Sequence, residues 1–183
     1  ASQLKTIVLD KTGTITKGEP AVTDVVTGST WTAGREQLLR LAATVERGSE
    51  HPLGEAIVRA AQEQQLLLND PTGFEAITGH GVAAEVEGQK VLLGNLRLMQ
   101  RENVKLNGLG PEVEKLQNQA KTAMWVAVDG QASGVIAIAD TIKDGSKEAI
   151  ASLKKMGLQV VMMTGDNQAT AEAIANEVTI DRV

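Results

Sequence analysis

The residues best suited to chemistry form the heptad Asp10-Lys11-Thr12-Gly13-Thr14-Ile15-Thr16. It directly follows the apolar run Ile7-Val8-Leu9, which predicts a buried strand. An acid at the carboxyl end of a strand, before a tight Gly/Thr turn, lies where open α/β sheets place their active sites. A carboxylate there can attack phosphorus and carry the phosphoryl group, whose charge Lys11 and the hydroxyl and N–H groups of the turn can hold. The alternative is a solvated acid followed by an ordinary turn.

A second candidate phosphate site is the segment Met163-Thr164-Gly165-Asp166-Asn167, which ends one apolar run and opens a helical one. Free N–H groups and the helix dipole at such a junction attract anions. Asp166 or Asn167 can equally act as an ordinary helix cap, and both roles are compatible.

Composition limits the classes of protein to consider. The 183 residues suffice for one large or two small domains, and 42% apolar residues permit a packed core. The net charge of −5 argues against a nucleic-acid partner. The chain contains no cysteine, so disulfides and thiolate metal sites are excluded. No apolar run approaches the roughly 18–20 residues that cross a bilayer.

The middle of the chain reads as an α+β segment. Apolar residues at helical spacing predict two helices, at 34–47 and 52–65. Short alternating runs separated by Gly-containing turns then predict three antiparallel strands, at 74–77, 82–86 and 90–93. Two short helices follow, at 95–101 and 111–119, and then a hairpin of strands 124–128 and 133–139 around Asp129-Gly130.

After Asp140 the pattern changes to helix 144–156, strand 158–163 and helix 167–177, the alternation of a parallel sheet. The predicted fold class is therefore α/β, with a parallel-sheet domain split by an inserted α+β domain whose antiparallel sheet is flanked by helices. We place the first domain at residues 1–19 and 140–183 and the insert at 20–139.

The heptad 10–16 resembles the phosphorylation signature of P-type ATPases at every position. The resemblance implies a haloacid dehalogenase-like sheet, here incomplete at its C-terminal end, and an aspartyl-phosphate formed on Asp10 from ATP with Mg²⁺. Lys11, Thr12, Thr164, Gly165 and Asp166 are implied as its catalytic neighbours, and Asp10 and Thr12 as the residues at the Mg²⁺ ion. Phosphatases with this sheet usually carry an acid where this chain has Thr12, whose hydroxyl is a poor proton donor.

Further motifs resemble the heavy-metal transporting members of that family. Glu46 with Ser49-Glu50-His51-Pro52, the loop Gly79-His80-Gly81-Val82 and the pair Gly94-Asn95 are similar to elements that bind the adenine and ribose of ATP. The implied nucleotide contacts include Glu46, His51, Gly79, Gly81, Val82, Gly94 and Asn95. Asp140-Thr141-Ile142-Lys143 resembles a hinge element, so Asp140 and Lys143 are also expected to contact the nucleotide.

The resemblance identifies the chain as the ATP-binding and phosphorylation region of a membrane-bound metal pump, copper first and zinc-class ions second. Its implied partners are ATP, the transported ion, and the actuator and transmembrane domains of the same parent protein, on the cytoplasmic face. We expect the isolated chain to bind ATP but to phosphorylate Asp10 poorly. Two alternatives stay open: a phosphatase or phosphomutase with a cap insert, and a non-catalytic nucleotide-binding module.

Overall fold

The structure is a computed structural model that describes residues 5–165 and 168–183. The chain divides into two compact units. The parallel unit comprises Ala1–Pro20, Asn118–Lys121 and Asp140–Val183, and the antiparallel unit comprises Ala21–Gln117 and Thr122–Ala139. Strands β2 and β7 contribute residues to both units, because the division after Pro20 falls inside β2 and the division before Asp140 falls inside β7.

Eight strands and six helices occur in the described residues. The strands are β1 Thr6–Asp10, β2 Thr16–Thr27, β3 Thr72–Ile77, β4 Gly81–Val86, β5 Gln89–Gly94, β6 Thr122–Val128, β7 Gln131–Ile142 and β8 Gln159–Met163. The helices are α1 Gly34–Glu46, α2 Pro52–Glu63, α3 Leu96–Arg101, α4 Gly110–Asn118, α5 Ser146–Lys155 and α6 Gln168–Glu177. None of the helices described is long and apolar enough to traverse a bilayer.

The parallel unit is built on β1 and β8, which pair in parallel with Asp10 opposite Met163. Helix α5 leads into β8 and α6 follows it, and the chain then returns beside β8, where Met162 N donates to Arg182 O at 2.9 Å. This confirms the predicted strand–helix alternation of a parallel sheet.

One face of this sheet is buried and the other is not. Ile7 and Leu9 pack with Val160 and Met162 in a core to which α5 and α6 also contribute. On the opposite face Val8 is 56% exposed and Met163 62% exposed. The prediction that Ile7-Val8-Leu9 forms a buried strand is therefore wrong for Val8, because α5 and α6 join the core on the other face of the sheet.

The antiparallel unit contains most of a six-stranded sheet in the order β2-β7-β6-β5-β4-β3. Along β4, β5, β6 and β7, alternate residues enter different cores, as the pleat requires. Val91, Leu93 and Val126 pack under α1 and α2, whereas Leu92 and Trp125 pack under α3 and α4. Helices therefore flank both faces, as predicted.

The hairpin between β6 and β7 turns at Asp129 and Gly130, as the sequence predicts. Both residues have positive φ, 48° and 77°, which is the backbone that an Asp-Gly turn favours. Strand β7 then runs on to Ile142, three residues beyond the predicted end, and so carries Asp140 within a strand rather than a linker.

Candidate active site

The candidate nucleophile, Asp10, lies at the end of β1 with an extended backbone (φ −70°, ψ 145°) and an exposed side chain. An irregular turn, Lys11–Ile15, follows it. Thr12 is extended and Gly13 has φ +75°, a left-handed conformation that favours glycine. Lys11 and Ile15 are buried, and Ile15 packs in the core of the parallel unit, while Asp10 and Thr12 remain exposed. The carboxylate is thus presented to solvent on a fixed backbone.

Asp140 and Lys143 hold this turn in place. The buried Thr16 hydroxyl donates to Asp140 Oδ2 at 2.5 Å, and the Gly18 amide donates to Asp140 Oδ1 at 2.9 Å. The Lys143 ammonium donates to the carbonyl of Gly13. The sequence predicts Asp140 and Lys143 as nucleotide contacts, and the structure places both against the turn that begins after Asp10.

The register of the parallel strands brings the two candidate phosphate segments to one sheet edge. Because Asp10 pairs with Met163, the residues that follow each strand, Lys11 and Thr164, leave the sheet at the same end. Thr164 is half-buried and Gly165 is exposed there. The predicted catalytic residue Asp166 lies outside the described residues.

The turn suits a magnesium ion that arrives with a phosphate. Within the described part of the chain, no three His, Cys, Asp or Glu side chains cluster to hold a metal ion. Asp10 offers one exposed carboxylate. Mg²⁺ typically takes one or two carboxylates and fills its remaining positions with water and substrate phosphates, so this sparse oxygen site fits it.

A cleft of about 690 Å³ opens in the antiparallel unit. Pockets of this size commonly hold small organic ligands and cofactors. The α1–α2 junction, the β3–β4 loop, the end of β5 and the start of β6 form its walls. Its lining includes all the residues predicted to bind nucleotide in the insert: Glu46, His51, Gly79, Gly81, Val82, Gly94 and Asn95.

His51 is fixed at the start of α2. Its backbone is extended, Pro52 follows in the first helical position, and the Leu53 amide donates to its Nδ1 at 3.2 Å. A ring whose Nδ1 accepts a hydrogen bond carries its proton on Nε2 when neutral. The imidazole is therefore an oriented donor in the lining of the cleft.

Asn95 holds the β3–β4 loop in place through hydrogen bonds. The Asn95 amide donates to the His80 carbonyl, and its Nδ2 donates to the Gly79 carbonyl, each at 2.9 Å. Its Oδ1 accepts from the Leu98 amide at 3.1 Å and so caps α3. Asn95 thus couples the shape of the glycine loop to the start of a helix.

Two glycines of the cleft are required by the backbone itself. Gly81 and Gly94 are register partners in β4 and β5. A Cβ on Gly81 would lie 2.0 Å from the Leu93 carbonyl oxygen, and one on Gly94 would lie 2.2 Å from that of His80. Sequence analysis gives Gly81 as an implied nucleotide contact, and the structure adds the close approach of a neighbouring strand.

Glu46, at the end of α1, is the most buried acid of the cleft at 3% exposed. Burial raises the pKa of its carboxyl, while a hydrogen bond from Ser49 and the charge of His51 act in the opposite direction. Its Oε2 is the only buried side-chain polar atom in the described residues without a hydrogen-bond partner.

Sequence reasoning missed several residues of the cleft. Phe74 is 42% exposed on its wall, and Met124 also lines it. Phe74 carried a usable signal, because it is the only Phe in the chain and begins the segment that leads to the glycine loop. Gly54 in α2 lies against the Glu46 carboxyl and does not itself line the cleft. Its position carried no sequence signal, since a single glycine in a helical pattern is commonly tolerated.

The chain is similar in sequence to one family model and to curated proteins of one class. The family model of haloacid dehalogenase-like hydrolases matches residues 4–183. A copper-exporting P-type ATPase of Bacillus subtilis (strain 168) is 48% identical over 181 residues, which is 99% of this chain. Those residues are 22% of that protein, so the chain spans about a fifth of its curated relative.

Solved structures agree in fold. A zinc-transporting PIB-type ATPase in an E2.Pi state superimposes with a TM-score of 0.90 at 32% identity, over 99% of this chain and 29% of that one. The N-domain of HMA6, a copper-transporting P-type ATPase, matches 66% of this chain and 99% of its own, with 29% identity and a TM-score of 0.54.

Proposed function

Since this chain belongs to the haloacid dehalogenase-like hydrolase family and its relatives are P-type ATPases, we propose that it binds ATP and accepts a phosphoryl group in a heavy-metal pump. Copper is the proposed cargo, because the copper-exporting relative is 48% identical and the zinc-transporting structure 32%. The proposal extends to a parent protein whose other regions supply membrane helices, the ion's ligands and an actuator domain. This region would then lie on the cytoplasmic side.

The observation that carries the proposal is the convergence of seven residues, spread from 46 to 95, on one cleft. The Glu46 carboxyl suits an exocyclic amine such as that of adenine, and the oriented imidazole of His51 suits the edge or face of a purine. The cleft's remaining lining is largely apolar, with Phe74, Ile77 and Met124, which suits a planar ring.

Chemistry is proposed at the turn of the parallel unit. A carboxylate oxygen of Asp10 attacks the γ-phosphorus of ATP, the new O–P bond forms, and the bond to ADP breaks with the electron pair leaving on ADP. Bound Mg²⁺, which Asp10 and Thr12 would hold together with phosphate oxygens, would supply charge neutralisation. Lys11, Thr164 and Gly165 are proposed to bind the phosphoryl oxygens, as is Asp166.

The outcome after phosphorylation depends on Thr12. An Asp or Glu at this position could serve as general acid and base for hydrolysis, and a threonine hydroxyl cannot at neutral pH. The aspartyl-phosphate is therefore expected to persist long enough to drive a conformational cycle. This favours the pump over the phosphatase alternative.

His51 provides the test of the cleft. Asparagine is a strong helix N-cap, so His51→Asn keeps an acceptor for the Leu53 amide but removes the imidazole. We expect His51→Asn to melt within a degree or two of the wild type and to bind ATP about tenfold more weakly by calorimetry, which corresponds to about 1.4 kcal/mol.

His51→Ala is the matched comparison, because it removes both the imidazole and the cap. It should bind ATP as weakly as His51→Asn and in addition lose about 1 kcal/mol of stability. Wild-type affinity in His51→Asn, or no binding of ATP by the wild-type chain at millimolar concentration, would contradict the proposed site.

A further inference from the structure

Gly54 lies in the first turn of α2 directly against the carboxyl of Glu46. A Cβ at this position would be 2.3 Å from Glu46 Oε2, 2.9 Å from its Cδ and 2.9 Å from Ser49 Oγ. Separations this short are not tolerated between non-bonded atoms. The carboxyl therefore occupies the volume that the side chain of any other residue at 54 would fill.

The conformation of Gly54 does not explain why glycine stands there. The residue is helical and buried, and its φ is not in the left-handed region. Glycine in a helix is less favourable than alanine, so an alanine would be preferred if there were room for it. The need is for space alone, and the group that takes the space is the Glu46 carboxyl.

We call the space beside Gly54 and Ser49 that the Glu46 carboxyl occupies its seat. The seat also accounts for Glu46 Oε2, which has no hydrogen-bond partner in the described part of the chain. Ser49 hydrogen-bonds the carboxyl, whereas Gly54, next to Oε2, has no side chain that could donate a hydrogen bond to it. Oε2 is consequently buried with no hydrogen bond among the described residues. A buried acceptor without a partner is unfavourable, and such atoms in native structures generally have a functional or structural reason.

We infer that Gly54 is a positioning residue of the nucleotide cleft, which keeps the Glu46 carboxyl within the cleft wall instead of in the space that the ligand enters. The inference rests on the proposed ATP site. Any side chain at 54 displaces the carboxyl from its seat, and the displaced charge then occupies the cleft. Gly54 itself need not touch the nucleotide.

The first test measures the pKa of the Glu46 carboxyl in the absence of nucleotide. A carbon-13 NMR titration of the Glu46 carboxyl in the intact chain should show its pKa above the ordinary value in the wild type, because burial raises it. In Gly54→Ala the displaced, hydrated carboxyl should titrate closer to the ordinary value. An unchanged pKa in Gly54→Ala would overturn the inference whatever the protein binds.

The second test is a double-mutant cycle on ATP affinity, measured by calorimetry. Gly54→Ala should bind ATP about tenfold more weakly than the wild type. In a Glu46→Ala background the same substitution should change affinity less than twofold, because the displaced group is gone. A loss of equal size in both backgrounds, or no loss in the first, would overturn the inference.

Gly110 supplies the control. It is the first residue of α4, lies outside the cleft, and has nothing within 4 Å of an added Cβ, so Gly110→Ala should change neither the pKa of Glu46 nor the affinity for ATP.

The folding of the variants is also informative. If Gly54→Ala fails to fold while Glu46→Ala/Gly54→Ala folds, the Glu46 carboxyl is the obstacle and the inference is supported. If both fail to fold, the inference is overturned. If the wild type does not bind ATP, the proposed function fails and the NMR comparison still decides the role of Gly54.

Discussion

Individual residues of this chain serve two requirements at once, and Glu46 shows the conflict between them most clearly. A carboxylate in the wall of a cleft is useful for recognising an amine, yet its burial without a full set of hydrogen bonds is unfavourable for the folded state. His51 and Asn95 avoid that conflict, because each uses one side-chain atom to cap a helix. Their caps fix the side chains that the cleft presents.

Glu46 therefore gives a prediction for stability against pH. Its folded-state pKa is raised above 4.5, so the folded state keeps the proton to higher pH than the unfolded state does. The stability this supplies is fully present below about pH 4.5 and is lost as pH rises through the raised value. Glu46→Gln, which does not titrate, should be more stable than the wild type at pH 7, and the difference should shrink towards pH 4.5.

The stability of the two proteins can be measured at each pH by urea unfolding followed by tryptophan fluorescence. Both tryptophans, Trp31 and Trp125, belong to the antiparallel unit, which also contains Glu46. Glu50→Gln is the control, since it makes the same charge change at an exposed neighbour. A difference between Glu46→Gln and the wild type that does not vary with pH would contradict the assignment of the raised pKa to Glu46.

At the scale of elements, the turn after β1 depends on a strand that is distant in sequence. Asp140 in β7 accepts hydrogen bonds from Thr16 and Gly18, more than 120 residues earlier. Ser146, at the start of α5, adds a hydrogen bond from its hydroxyl to the Ile15 carbonyl at 2.9 Å. The elements on either side of the insert therefore fix the turn that presents Asp10.

Removing the Asp140 carboxylate should loosen that turn. Asp140→Ala deprives the Gly18 amide of its acceptor and a buried hydroxyl of its charged partner, so we expect the parallel unit to lose about 1.5–3 kcal/mol of stability. Hydrogen exchange at Gly18 should become at least tenfold faster, and tryptophan-monitored unfolding should change little. Asp144→Ala, an exposed acid four residues further on, is the control. Unaltered exchange at Gly18 would show that Asp140 does not hold the turn.

For the whole molecule, the assignment of every cleft residue to the antiparallel unit gives a regional prediction. Without Mg²⁺, ATP at 100 times its dissociation constant should raise the unfolding free energy of that unit by about 2.7 kcal/mol. The gain in amide protection should be largest at 46–54, 77–82 and 94–95. Tripolyphosphate, which lacks a base and ribose, should raise the unfolding free energy of that unit only slightly. Equal stabilisation by tripolyphosphate would contradict a cleft that recognises the nucleoside.

Local pattern and motif order predicted the helices and strands and named seven residues that the structure brings to one cleft. The stripes of α1 and α2 gave bounds within one or two residues of the structure. What sequence could not give was contact between distant segments, such as Asp140 with Thr16, or the reason for Gly54, which depends on where Glu46 lies. It also overestimated burial, since three apolar residues in a row do not reveal that Val8 faces away from the core.

The chain enters the antiparallel unit along β2 and leaves it along β7, and these two strands are neighbours in the sheet. Adjacent strands lie about 4.8 Å apart, so the two ends of segment 21–139 are held close together. A segment whose two ends lie close together can be removed or replaced as a unit. A short linker could join residues 20 and 140 if the segment were deleted, and a related segment could be inserted in its place. The architecture thus lends itself to modular recombination, in which a new recognition module is acquired by one genetic event while the chain around Asp10 keeps its path.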